Sequence, residues 1–84
     1  MKTAIITGGN RGIGLAITKA FVDDGYKVII GARHDTDIEE QFNGHVKFVA
    51  MDVKDEAGHR KLVEAAVDWT GQIDVYVNNA GYSE

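Results

Sequence analysis

Apolar residues come along this chain in blocks separated by polar stretches, and the spacing inside each block predicts an element. "TAIIT" is a short apolar run that ends on glycine, as expected of a strand covered on both faces, and it predicts a first strand from Thr3 to Ile6. Beyond the glycines, Ile13, Ala16, Ile17, Ala20 and Phe21 recur at the spacing of a helix with one apolar stripe, and Gly25 is placed to end it. "YKVIIGA" predicts a second strand, Lys27 to Ala32. "RHDTDIEEQFNG" is polar, with Ile38 and Phe42 four apart, and predicts a loop with one or two helical turns. "HVKFVAMDV" predicts a third strand from Val46 to Met51. Asp55 is a suitable cap for a helix whose stripe is Leu62, Val63, Ala66, Val67 and Trp69 and which stops before Gly71. "IDVYVNNAG" reads as a strand running into a turn.

The predicted order is β-α-β-(short α)-β-α-β. Parallel strands joined by right-handed crossovers are the expected product, a doubly wound α/β sheet of strand order 3-2-1-4. With 84 residues, 44% hydrophobic and 26% charged, the chain has enough apolar material for one core and too little length for two domains. An α/β sheet built from so short a chain is expected to be marginal without a partner or further sequence. A formal charge of −4, with scattered Lys and Arg, argues against a phosphate-reading grip on nucleic acid. The absence of cysteine rules out disulfides and thiolate metal sites. No run resembles a signal or membrane-spanning segment, and a cytoplasmic location is expected.

The candidate chemistry lies in "TGGNRGIG", between the first strand and the first helix. Glycine permits positive φ and lets backbone approach a ligand, and a helix start directs free N–H groups at an anion. Gly8 is expected to turn the chain off the strand, Gly12 to allow approach to a pyrophosphate, and Gly14 to let helix pack on strand. The spacing lacks the Lys-Ser/Thr of a nucleoside triphosphatase loop. Taken alone, such a stretch is also compatible with glycines serving turn geometry only.

"TGGNRGIG", "DV" at Asp52 and Val53, and "NNAG" at Asn78 to Gly81, in that order, together resemble the short-chain dehydrogenase/reductase family. The resemblance implies that residues 1–84 are the N-terminal part of one Rossmann-type NAD(P)-binding domain whose remainder lies elsewhere, a half that binds a nicotinamide dinucleotide. Gly8, Gly9, Asn10, Arg11, Gly12, Ile13 and Gly14 would line phosphates and ribose. Asp52 by its carboxylate and Val53 by its backbone N–H would hold the adenine edge. Asn79, Ala80 and Gly81 would pass beneath the adenosine ribose, while Asn78 ties the strand end into the sheet.

NAD-preferring sites commonly place an acid at the end of the second strand, on the ribose 2′-hydroxyl. Here the strand ends "IIGARH", with Ala32 at that place and Arg33 after it. Arg33 and Arg11 offer planar donors suited to a 2′-phosphate, which favours NADP, with NAD the alternative. Asp35 and Asp37 support the opposite reading if the loop folds one of them onto a ribose, and a solvated surface role for Arg33 also stays open.

The family's reaction uses a Tyr-x-x-x-Lys pair with a Ser. None of Tyr26, Tyr76 and Tyr82 has Lys four residues on, so no catalytic residue is assigned. His34, His45 and His59 lack ligand spacing and read as solvated, with no metal expected. The resemblance implies an NADP-dependent oxidoreductase acting on a carbonyl or secondary alcohol, this chain supplying the cofactor-binding half of a homodimer or homotetramer. The rival reading is a stand-alone nucleotide-binding or interaction module without catalysis.

Overall fold

The computed structural model describes residues 1–79. Strands β1 (Thr3–Thr7), β2 (Lys27–Ala32), β3 (Val46–Ala50) and β4 (Val75–Asn78) alternate with helices α1 (Gly12–Asp23), α2 (Ile38–Gln41) and α3 (Glu56–Thr70). All pairings are parallel and the order is β3-β2-β1-β4, the expected topology. β2 keeps both expected ends; β1 runs one residue longer, β3 one shorter, and β4 starts at Val75 rather than Ile73.

Period-two alternation divides the sheet between two cores. Ala4, Ile6, Val28, Ile30 and Val46 face α1 and α2, whose Leu15, Ile17, Phe21, Val22 and Ile38 cover them. Ile5 and Ile29 face α3, packed by Leu62 and Ala66. Both faces of β1 are thus buried, which is why it reads as an unbroken apolar run. The helix ends also follow the local residues. Asp55 Oδ1 accepts from the Ala57 N–H at 3.0 Å to cap α3, and Gly25 and Gly71 follow α1 and α3 with φ of 89° and 83°.

The helix stripes require correction. In α1 the buried positions are Gly14 and Thr18, whereas Ile13 is 76% exposed and Ala16 and Ala20 face outward. The cause is polar and steric: Thr18 Oγ1 donates to the Gly9 carbonyl at 2.9 Å, and Gly14 packs against the β1 end, which together set the rotation of the helix. In α3 the inward side is Gly58, Leu62 and Ala66, flanked by Ala65 and Trp69, while Val63 and Val67 are exposed. Trp69 carries the ammonium groups of Lys27 and Lys47 over its ring at 5.2 and 5.1 Å.

Asp74, just before β4, accepts from the Thr3 N–H and from the Gln72 side-chain amide, both at 2.8 Å. These bonds, the Thr3 N–H foremost, hold its carboxyl below the usual range. A folded-state value below the unfolded one contributes stability that is present above the unfolded value and is lost as pH falls through the folded one. Denaturant midpoints measured from about pH 5 down to about pH 2 should therefore fall, and Asp74→Asn, which keeps the acceptor oxygen but cannot ionise, should flatten that fall. An unchanged slope would remove Asp74 from the account.

Candidate functional site

The four strands end together. Thr7 pairs with Gly31 and Asn78, and Gly31 with Val49, so the segments beginning at Gly8, Arg33, Asp52 and Asn79 emerge at one edge of the sheet. α1 and α3 lie on opposite faces, so the chain reverses its winding between β1 and β4, and a crevice opens there at the carboxyl ends.

The glycine-rich stretch occupies that crevice. Gly8 has φ of 68°, and its N–H donates to the Gly31 carbonyl at 2.8 Å, turning the chain off β1. Gly14 sits where a Cβ would lie 2.0 Å from the Gly8 carbonyl oxygen, so helix and turn touch backbone to backbone. Gly12 shares the left-handed backbone of Gly8, with φ of 57°, but unlike Gly14 it has nothing within 4 Å of the place for a Cβ. Arg11 caps α1 in an extended conformation without a side-chain bond to the helix start. Among the described residues nothing accepts from the N–H groups of Gly12, Ile13 and Gly14, so the positive end of α1 stands open beside an uncluttered glycine.

Gly9 and Asn10 are instead inward. A Cβ on Gly9 would meet Thr18 Oγ1 at 2.7 Å and Ile30 at 3.0 Å, so this glycine serves the packing of α1 on β2. Asn10 is 5% exposed; its Nδ2 donates to the His34 carbonyl at 2.8 Å and its carbonyl accepts from Thr36 Oγ1 at 3.4 Å. The asparagine thereby ties the glycine turn to the loop after β2. Arg11 and Ile13 are exposed at the mouth.

Arg33 stands at the end of β2 with its side chain 67% exposed, and Nη2 lies 3.4 Å from Asp52 Oδ2. Asp52 Oδ1 accepts from the Lys54 N–H at 2.9 Å. The Asp52 carboxyl is held below its usual range chiefly by that N–H, with burial opposing and the Arg33 guanidinium reinforcing. An exposed pair of this kind adds little stability, so its effect is to place a cation over the β2–β3 edge. Asp35 Oδ1 accepts from the Ile38 N–H at 3.3 Å at the start of α2, and Asp37 takes φ of 57° in the same turn, so both belong to the α2 entry.

On the β4 side, Thr7 Oγ1 donates to Asn78 Oδ1 at 3.1 Å and accepts from the Asn79 N–H at 2.9 Å, which fastens Asn78 to the sheet as expected. Asn79 Nδ2 lies 3.5 Å from the Gly8 carbonyl, bringing β4 to the floor of the glycine turn. Ala80 and Gly81 lie outside the described residues.

Periodicity could not have found Thr7, Thr18 and Thr36, whose hydroxyls join separate elements. The spacing of His59 predicts a solvated side chain. It is instead half-buried, with Nε2–H donating to the Val53 carbonyl at 2.8 Å and Nδ1 bonded to the Tyr76 hydroxyl. Burial pushes the Tyr76 phenol up, so it keeps its proton. Among the described residues no group of His, Asp and Glu could hold a metal ion, and no helix is long and apolar enough to cross a membrane.

Three comparisons bear on this site. The family described as short chain dehydrogenase matches residues 2–84. The chain is 43% identical to an NADP-dependent (R)-specific alcohol dehydrogenase of Lentilactobacillus kefiri, over 95% of this chain and 34% of that protein. It is 39% identical to an L-fucose dehydrogenase of Rattus norvegicus, over 96% of this chain and 31% of that one. Among solved structures, L-sorbose reductase from Gluconobacter frateurii, complexed with NADPH and L-sorbose, superposes with a TM-score of 0.82 at 37% identity, over 95% of this chain and 33% of that one. The chain thus spans about a third of the length of the curated relatives it matches.

Proposed function

The chain belongs to the short-chain dehydrogenase family, and from that premise we propose that it forms the cofactor-holding part of an NADP(H)-dependent oxidoreductase. The observation that carries the reading is the common edge itself. There an uncapped helix N-terminus at Gly12–Gly14 and an exposed guanidinium at Arg33 open on the carboxyl ends of four parallel strands. The first suits a pyrophosphate and the second a further phosphate on ribose.

In this reading Gly12, Ile13 and Gly14 direct backbone N–H groups at the pyrophosphate, and Gly8 sets the turn. Gly9 and Asn10 hold the cradle in shape from behind. Arg33, with Arg11, takes the 2′-phosphate, and Ala32 leaves out the carboxylate that would repel it. Asp52 and the Val53 N–H meet the adenine edge, and Asn79, with Ala80 and Gly81, passes beneath the ribose. The nicotinamide, when bound, supplies hydride exchange with a carbonyl or secondary alcohol. No Tyr-x-x-x-Lys pair occurs in these 84 residues, so their part is to bind and orient. A cytoplasmic location and a homodimeric or homotetrameric assembly complete the reading, as the family resemblance implies.

Calorimetric titration of the full-length protein with NADPH and NADH tests it. NADPH should bind at least about tenfold more tightly, the value of one charge-assisted contact to the added phosphate. Equal affinities, or a preference for NADH, would overturn the assignment.

A further inference from the structure

Val53 sits in a turn whose two flanking peptide units are both fixed. The Asp52 carbonyl accepts from the Asp55 N–H at 3.0 Å, which orients the peptide before Val53. The Val53 carbonyl accepts from His59 Nε2 at 2.8 Å, which orients the peptide after it. The Val53 N–H itself finds no acceptor among the described residues. A backbone donor without a partner, held from both sides at the carboxyl edge of the sheet, is prepared for a ligand.

The imidazole is in turn held by a distant element. Because Val53 offers only a carbonyl oxygen, Nε2 carries the proton of that bond, and Nδ1 is left to bond the Tyr76 hydroxyl. The two rings lie 5.9 Å apart, centroid to centroid. Tyr76 belongs to β4, so the contact joins the β3–α3 turn to the strand that leads to Asn79. Gly58 makes this geometry possible, since a Cβ there would lie 3.0 Å from the Asp52 carbonyl, and its absence lets the first turn of α3 lie against the end of β3.

We infer that His59, oriented by Tyr76, is a positioning residue for base recognition: by fixing the peptide after Val53 it completes, with the Asp55 N–H on the peptide before, the turn that holds the Val53 N–H in place, and so supports the preference of the site for adenine. The inference rests on the nucleotide reading above. Adenine presents an amino donor beside a ring-nitrogen acceptor, which matches the Asp52 carboxylate and the Val53 N–H. Hypoxanthine presents a carbonyl and an N–H at the same places and matches neither.

The test is equilibrium binding of NADPH and of its hypoxanthine counterpart to the full-length protein, read as the ratio of the two affinities. The unmodified protein should prefer the adenine form by about tenfold or more, because the wrong base covers the Val53 N–H and the Asp52 carboxylate without matching either. His59→Ala should weaken NADPH about tenfold while leaving the hypoxanthine form within about twofold, so that the ratio collapses. His59→Gln, which can still donate to the Val53 carbonyl, should restore most of the preference. Tyr76→Phe keeps the imidazole and should reduce the preference about threefold, and it decides the matter if the alanine variant does not fold. A general structural role predicts equal weakening of both ligands, and that result, or no weakening of either, would overturn the inference. An unmodified protein that binds NADPH but ignores the base would show that adenine does not lie on Asp52 and Val53, and the inference falls with its premise. Discrimination that is intact in the unmodified protein and unchanged in all three variants would overturn the role of His59 alone.

Discussion

Gly14→Ala should destabilise the fold by roughly 2–4 kcal/mol and weaken dinucleotide binding by about a hundredfold or more. The added Cβ would stand 2.0 Å from the Gly8 carbonyl oxygen and 2.8 Å from its carbon, and no side chain can swing aside to relieve a clash with backbone. The start of α1 must therefore move away from the turn. A shift of about an ångström takes N–H donors out of hydrogen-bonding range of any ligand set against them, and each charge-assisted bond lost costs roughly 1.5–3 kcal/mol. Gly12→Ala is the informative contrast. With φ of 57° and open space around it, that substitution meets backbone strain and no collision, and should cost about 1–2 kcal/mol with the fold retained. Denaturant titration and calorimetry on the two variants separate the cases. If Gly14→Ala matched the unmodified protein in both stability and affinity, close docking of α1 would not be what forms the cradle.

Arg33→Ala should weaken NADPH by roughly ten- to a hundredfold and NADH far less. Two effects act in the same direction. The substitution removes a planar donor suited to phosphate oxygens, and it also strips the Asp52 carboxylate of its partner at 3.4 Å. The Asp52 carboxylate keeps its Lys54 N–H but loses the nearby cation, so it repels the extra phosphate of NADPH more strongly, and NADH carries no such group. Arg33→Lys, which keeps the charge and loses the fork, should fall between the two. Because the pair is exposed, stability should change little, and unfolding midpoints provide the control. Equal losses for both cofactors would show that Arg33 does not sense the additional phosphate.

The elements were readable because each is specified by residues close together in the chain. β2 begins at Lys27 and ends at Ala32 as its apolar run requires, and Gly25, Asp55 and Gly71 act at helix ends through their own backbones and side chains. The glycine spacing likewise announced a strand-to-helix turn, within which Gly8 and Gly12 take left-handed φ and Gly14 meets the Gly8 backbone directly. Arg33 at the end of β2 was legible for the same reason, since parallel pairing brings every strand end to one edge.

The rotation of α1 could not be read. Periodicity marks Ile13, Ala16 and Ala20 as apolar, yet Gly14 and Thr18 face the sheet, because a backbone contact and a buried hydroxyl bond to Gly9 outweigh the burial of two methyl groups and one exposed isoleucine. Gly9 and Asn10 lie among residues suited to phosphate, and only the packing of Ile30, Thr18 and His34 around them reveals that they support the cradle from within. His59 and Tyr76, 17 residues apart on different elements, meet only because α3 crosses the sheet to reach β4. Local spacing thus determined the strands, the helix ends and the kind of anion this chain is suited to meet. Tertiary structure decided which face of each helix turns inward, which polar groups are used up inside the protein and which remain for a ligand, since those depend on distances between segments that no sequence separation encodes.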